Sequence, residues 1–272
     1  MINLSSNALI IKMKISKKVV CLLAVFILTL FSCSKVDDKI VKLLQKIVET
    51  SKEGLPETTL FTYYGSEIVN IDGALKSTDF KYKDGLITRI VVLNKATKVV
   101  ETINYSYIKG KLVQVESLGN YIPKFNHNID KTISYERFLL GANHQKIREY
   151  HGILTFENGN YTNDIRTLDN VGFGIIMKSI RTFAYDKKIN PFSVILGFDK
   201  IISYDVFMSI NNNLSIVFID STTLPSDQVT SSATMSSTNF KYDADGYPIE
   251  KFSETALLPN GNMGYMKTEY FY

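Results

Sequence analysis

The 272 residues contain no tryptophan, three histidines, six prolines and two cysteines. Both cysteines, Cys21 and Cys33, fall within the first 33 residues, so the remaining chain can form no disulfide, thiolate metal site or cysteine nucleophile. His127, His144 and His151 make no HExxH pair, and a zinc site would have to gather ligands from distant strands. They read as surface-loop histidines, and no metal or other cofactor is indicated. The chain also lacks a Gly-x-Ser-x-Gly elbow and a glycine-rich phosphate loop, which leaves serine catalysis and nucleotide chemistry without a motif. Charge of one sign is missing as well. The formal +4 comes from Lys12, Lys14, Lys17 and Lys18, and the residues beyond position 33 carry 27 basic and 27 acidic groups. A neutral body excludes the broad cationic surface that nucleic-acid binding requires.

What is present begins with an address. Lys14, Lys17 and Lys18 precede a thirteen-residue apolar run, Val19 to Phe31. That is short of the ~20 residues of a membrane-crossing helix and has the order of a secretory signal. Leu30-Phe31-Ser32-Cys33 resembles the lipobox of bacterial lipoproteins. The resemblance implies that Cys33 is thioether-linked to diacylglycerol and becomes the first residue of the mature chain. Two or three acyl chains such as palmitate suffice for stable anchoring. An ordinary secreted protein with a cysteine after its signal is the alternative. Met13 is a more natural start for this signal than Met1. Ser34-Lys35-Val36-Asp37-Asp38 is similar to the short acidic tags of surface-exported lipoproteins of the Bacteroidetes type, and would serve equally as a helix N-cap. The expected location is the outer membrane, lipid-anchored, facing the periplasm or the cell surface.

The chain divides into a signal peptide (1–33), a tether with an amphipathic helix (34–57) and a single antiparallel β domain (58–272). In Lys39 to Thr50, the residues Ile40, Leu43, Leu44, Ile47 and Val48 recur at helical spacing. Gly54 and Pro56 end that pattern. From Thr58 the period becomes two. Strands are expected over 59–64, 79–82, 87–93, 102–108, 111–117, 131–138, 147–156, 180–185, 214–219, 239–242, 249–254 and 265–272, all rich in Ile, Val, Thr, Tyr and Phe. Turn signals such as Lys83-Asp84-Gly85, Lys109-Gly110 and Asn158-Gly159 separate them and favour antiparallel hairpins. Asn190-Pro191 offers a helix start for a segment that caps an open end of the sheet or lies over its concave side, or else makes a plain crossover. Ser221 to Thr238, without an aromatic, reads as a long exposed loop.

An internal repeat supports the meander. Phe80-Lys81-Tyr82-Lys83-Asp84-Gly85 recurs as Phe240-Lys241-Tyr242-Asp243-Ala244-Asp245-Gly246, with echoes at Tyr105-Ser106-Tyr107 and Phe183-Ala184-Tyr185. The aromatic pair should face one side of the sheet and the intervening residue the other. The phrases Phe183 to Phe192 and Phe240 to Pro248 resemble those of a Bacteroidetes family of lipoproteins of unknown function with a porin-like, antiparallel β fold. The likeness covers most of residues 58 to 272 and implies the fold, with no catalytic residues to carry over. The expected architecture is mainly β, an antiparallel meander forming a curved sheet or incomplete barrel with a short N-terminal helix.

Chemistry is harder to find. Asp243-Ala244-Asp245-Gly246 begins like a calcium loop, but Tyr247 and Pro248 stand where an oxygen ligand and glycine are required, so a hairpin turn is expected. Carboxylate pairs for glycoside hydrolysis follow no spacing rule. Thirty Tyr and Phe follow Cys33. Tyrosines on a concave sheet can stack on sugars or receive an apolar ligand, and Tyr105, Tyr107, Tyr121, Tyr161 and Tyr247 are the candidates for ligand binding. Covering the sheet itself is their competing role. Arg89 and the stretch Ile147 to His151 interrupt any continuous apolar outer band. The functional expectation is an anchored binding or envelope-assembly module whose ligand is a glycan or another envelope protein. A polysaccharide-directed hydrolase and a scaffold without a small ligand are the alternatives.

Overall fold

A computed structural model of the chain describes residues 41–51, 54–141, 145–169, 171–172, 174–202, 209–255 and 264–272. The expected signal peptide, Cys33, the expected acidic tag and His144 lie outside the described residues. Sixteen strands follow one another: β1 Lys46–Ser51, β2 Glu57–Tyr64, β3 Glu67–Asp72, β4 Lys76–Lys83, β5 Leu86–Asn94, β6 Val100–Ile108, β7 Lys111–Ser117 and β8 Tyr121–His127, then β9 Ile133–Leu140, β10 Lys146–Glu157, β11 Asn160–Leu168, β12 Ile176–Ile189, β13 Asn211–Thr223, β14 Val229–Tyr242, β15 Pro248–Thr255 and β16 Gly264–Phe271. Each pairs antiparallel with its sequence neighbours, and β1 pairs with β16 from Lys46↔Phe271 to Ser51↔Met266. The sheet is therefore a closed barrel.

Closure corrects two expectations. The sheet is neither open nor incomplete, and no helix is found over the described part of Lys39 to Thr50. Val41 to Gln45 is extended and Lys46–Ser51 is a strand. Leu44 and Ile47 are buried as the helical pattern also required, which is why a short apolar run does not discriminate between periods. The decision is non-local: without β1, facing backbone groups of β2 and β16 would lack partners. The strands β3, β8 and β11 are likewise missing from the sequence pattern. β8 contains Pro123, which removes a ladder donor, and β7 and β8 pair only at Gln114↔Lys124 and Ser117↔Tyr121. Ser221 to Thr238 is not a loop either. It is a hairpin extending β13 and β14, with Leu224 to Gln228 as its turn.

The repeat has a structural meaning. In each hairpin that carries an aromatic-x-aromatic pair, the register slips just before the second aromatic. The slips fall at Thr62/Tyr63, Lys81/Tyr82, Ser106/Tyr107, Ala184/Tyr185 and Lys241/Tyr242. The return strand carries one extra residue there, a β-bulge, which lets residues three apart such as Ile87 and Ile90, or Leu112 and Val115, both point inward. Tyr82, Tyr107 and Tyr185 then tie one hairpin to the bulge of the one before, whereas Tyr242 O–H donates to Asp186 and the buried Tyr63 hydroxyl has no partner among the described residues. Tyr107 O–H donates to the Ile87 carbonyl, Tyr185 O–H to that of Tyr161, and Ile68 N–H donates to the Tyr82 oxygen.

The β12–β13 connection folds back into the end of the barrel. Asn190 caps a 3₁₀ turn at Pro191–Val194, accepting from Phe192 N–H, and a second turn spans Phe198–Lys200. This is the capping segment expected at Asn190-Pro191, with 3₁₀ in place of α geometry. Leu196 N–H donates to Ser66 O, and Tyr82 O–H donates to Leu196 O. Gly197 has φ +80°, and a Cβ on it would stand 3.2 Å from Gly85 O, so glycine is what lets the plug dock there.

The barrel interior is apolar. One cluster holds Leu112, Val115, Phe125, Tyr135, Leu154, Tyr161 and Phe183, and the other Leu44, Ile47, Phe61, Ile68, Phe80, Ile90, Ile195 and Tyr270. Ile103 and Tyr105 pack against both. The outer wall alternates with this interior and carries charge at mid-strand. Lys81, Arg89, Asn104 and Glu116 stand in one register row, and Gln114, Lys124, Glu136 and His151 in another. On β14 to β16, Lys241 and Lys267 both pair with Glu250, at 2.5 and 3.2 Å.

Candidate ligand cavity

Where β14, β15 and β16 face inward, small residues stand beside large ones. Ser236, Thr238, Ser253 and Thr268 line a cavity of about 480 Å³ inside the barrel. Its floor is the plug, with Pro191, Phe192 and Phe198, and its walls include Phe61, Ile216, Phe240 and Tyr270. The plug rings are fixed by their neighbours, with Phe192 6.1 Å from Phe61 and Phe198 5.9 Å from Phe80 between centroids. Such a volume, mostly apolar with a few polar groups, is that of a small-molecule site.

Thr59, Asn190, Asn212 and Asn213 also line the cavity, and a further set of polar groups is aligned in one register row. Glu49 on β1 stands opposite Thr268 on β16, Thr268 opposite Lys251 on β15, and Lys251 opposite Phe240 on β14. All four line the cavity. A carboxylate, a hydroxyl, an amine and a phenyl ring thus lie side by side across four adjacent strands. Burial holds the Lys251 amine below its ordinary pKa, with Glu49 pulling weakly the other way. Among the described residues no carboxylate lies within ion-pair distance of it. Thr268 is 1% exposed and its Oγ1 is a buried polar atom without a hydrogen-bond partner among the described residues. Glu49 is the only carboxylate on the cavity wall among the described residues. The facing pair that glycoside hydrolysis needs is not supplied by this wall.

A second polar cluster lies in the other half of the interior. Asp164, 1% exposed, accepts from Tyr135 O–H at 2.5 Å and pairs with Arg166 at 3.0 Å. Arg166 stacks on Tyr150 at 4.3 Å, and Arg137 lies 4.3 Å from the Tyr121 ring while bonding Glu149. Burial first and then the Asp164 charge push the Tyr135 phenol well above its ordinary pKa. Each charge here has an opposite partner, so the cluster reads as an internal brace for the wall.

The five candidate tyrosines are placed as follows. Tyr105 is half-buried between the two clusters, and Tyr107 is bonded to Ile87. Tyr121 lies against Arg137, and Tyr161 is fully enclosed in the core. Tyr247 is buried beneath the entering chain, with its ring 5.3 Å from that of Tyr272. None of the five lines the cavity. Lys251 escapes sequence reasoning because Glu250 and Lys251 look equivalent there. The bulge at Ile249 is what turns Lys251 inward. The Asp243 motif is a turn, as expected: Asp243 accepts from the N–H groups of Asp245 and Tyr247. It also clasps the entering chain through Lys42, at 2.7 Å from Asp243 and 2.5 Å from Asp245. No group of three or more His, Cys, Asp or Glu placed to hold a metal occurs among the described residues. His127 bonds Leu112 O from inside the barrel, and His151 pairs with Asp169 outside it.

No family model matches the chain, and no curated protein matches it. Among solved structures, it is similar to a porin-like protein from Bacteroides vulgatus ATCC 8482, with a TM-score of 0.54 at 12% identity over 85% of this chain and 98% of that one. It is also similar to a porin-like protein from Bacteroides uniformis ATCC 8492, with a TM-score of 0.48 at 13% identity over 85% and 98% of the two chains. The first likeness shows the fold, which is the porin-like antiparallel fold that the resemblance over residues 58 to 272 implied.

Proposed function

We propose that this chain is a lipid-anchored protein of the outer membrane that holds its barrel beside the bilayer and binds a small, largely apolar molecule within it. The largely apolar cavity beside the plug carries this reading. A channel of this strand number would have a wet, polar lumen and an apolar outer band about 25 Å tall. Here the clusters around Tyr161 and Phe61 occupy the interior and Arg89, Lys124 and Lys267 stand near mid-strand on the outer wall. Each Lys or Arg at a bilayer midplane would cost about 2–4 kcal/mol. The anchor is Cys33, through the lipobox-like Leu30 to Cys33, and the acidic segment after it supports exposure at the cell surface.

Three measurements test this. Cys33→Ser should abolish lipid labelling and move the protein out of the membrane fraction; unchanged fractionation would sink the anchor. Organic extraction of the purified native protein, followed by mass spectrometry, should release a small apolar compound in stoichiometric amount, absent from a Ser253→Phe variant that fills the cavity. Protease added to intact cells should degrade the barrel, and an intact protein would place it on the periplasmic side.

A further inference from the structure

The geometry points to an uncharged amphiphile as the ligand class: an apolar body against Phe61, Phe192 and Tyr270, with a hydroxyl head group received by Glu49, Thr268 and Lys251. This rests on the reading that the barrel interior holds a small ligand, and goes on to specify the head group.

Three observations carry it. First, the row Glu49, Thr268, Lys251 presents an acceptor, a hydroxyl and a donor on successive strands, roughly 4.8 Å apart in the hydrogen-bonding direction. A ligand hydroxyl both donates and accepts, so one oxygen can serve neighbouring members of the row. Second, Thr268 Oγ1 is enclosed without a partner among the described residues, and an enclosed polar atom is ordinarily satisfied. A hydroxyl beside it supplies the missing bond. Third, Glu49 and Lys251 are the only charged residues on the cavity wall among the described residues, one of each sign. A carboxylate beside Thr268 would be attracted by Lys251 and repelled by Glu49, and an amine the reverse, so in either case the two contacts offset and leave the cost of burying the ligand's own charge unmet. A hydroxyl adds no charge. The remaining wall, in which phenyl rings and isoleucines supply most of the surface beside the plug, suits an alkyl chain or fused rings rather than a polysaccharide strand.

The test uses the full chain held in lipid nanodiscs, titrated calorimetrically with 1-octanol, octanoate and octylamine at pH 7, each corrected with empty discs. Octanol should bind at least tenfold more tightly than either charged probe. Thr268→Val, which keeps the side-chain shape, should weaken octanol about fivefold, as loss of one neutral hydrogen bond implies, without lowering the thermal transition. Glu49→Gln should weaken octanol and strengthen octanoate, and Lys251→Met should strengthen octylamine. Octanoate or octylamine binding as tightly as octanol overturns the head-group assignment while leaving the interior site standing, as does unchanged octanol affinity in Thr268→Val. Failure of all three probes to bind overturns the interior site itself.

Discussion

Tyr107 donates its phenolic O–H to the main-chain carbonyl of Ile87 at 2.8 Å, reaching from the second aromatic of one hairpin to the bulged residue of the hairpin before it. The same link recurs between Tyr185 and Tyr161, and Tyr272 makes it to Pro248 at 2.8 Å. A bulge disrupts its ladder locally, and the phenol supplies a partner there. The aromatic repeat is therefore a bonding scheme as well as a packing one. Tyr107→Phe should keep the ring in place and leave the Ile87 carbonyl short of a donor. A loss of about 1–2 kcal/mol in urea unfolding, with an unchanged m-value, is expected.

The enclosed tyrosines set an upper pH limit. Burial pushes Tyr82 and Tyr185 up to about 12, and drives Tyr135 and Tyr161 further in the same direction. A folded pKa above the unfolded 10 means that the stabilisation is complete below pH 10 and is lost as pH rises through the folded value. For each tyrosine as enclosed as Tyr135 or Tyr161, stability should fall by about 1.4 kcal/mol per pH unit above 10. Phenolate absorbance should therefore appear together with loss of β-sheet circular dichroism. Gradual titration of most tyrosines in a still-folded barrel would contradict the burial described.

Removing one member of the internal brace should be severe. Asp164→Asn leaves Arg166 enclosed beside Tyr135 and Tyr150 without its carboxylate. A cost of about 3–5 kcal/mol is expected. The double variant Asp164→Asn with Arg166→Met should recover part of it, and equal losses in the two would show that the charges do not act as a pair.

Lys251 should behave in the opposite sense to a stabilising charge. Burial depresses its folded pKa below 10.5, so the ammonium form opposes folding at neutral pH, and stability rises with pH between the folded pKa and 10.5. Lys251→Met should raise the thermal midpoint at pH 7 by about 2–4 °C per kcal/mol relieved. Its advantage should shrink as pH climbs toward 10.5. A constant difference between the two proteins over pH 7 to 10 would show that Lys251 remains charged in the barrel.

Much of the wall is legible in the sequence because it depends on local chemistry. Alternating Ile, Val, Tyr and Phe bounded by Asp-Gly and Asn-Gly turns selects antiparallel hairpins, and the pairs Phe80 with Tyr82 and Phe240 with Tyr242 mark one inward face. Asn190-Pro191 announces its own cap for the same reason. The neutral body, the absence of thiols beyond Cys33 and the signal-like run with its lipobox-like end are properties of composition and order alone. Closure belongs to the tertiary structure. Whether Lys46–Ser51 is helix or strand depends on β2 and β16, which supply its backbone partners from more than 200 residues away in one case. The cavity is equally non-local, because the bulge at Ile249 decides that Lys251 rather than Glu250 faces inward, and register then sets it between Thr268 and Phe240. Period-two patterns carry the face of each residue only until a bulge reverses it, and the pairing that places the bulge is made between strands.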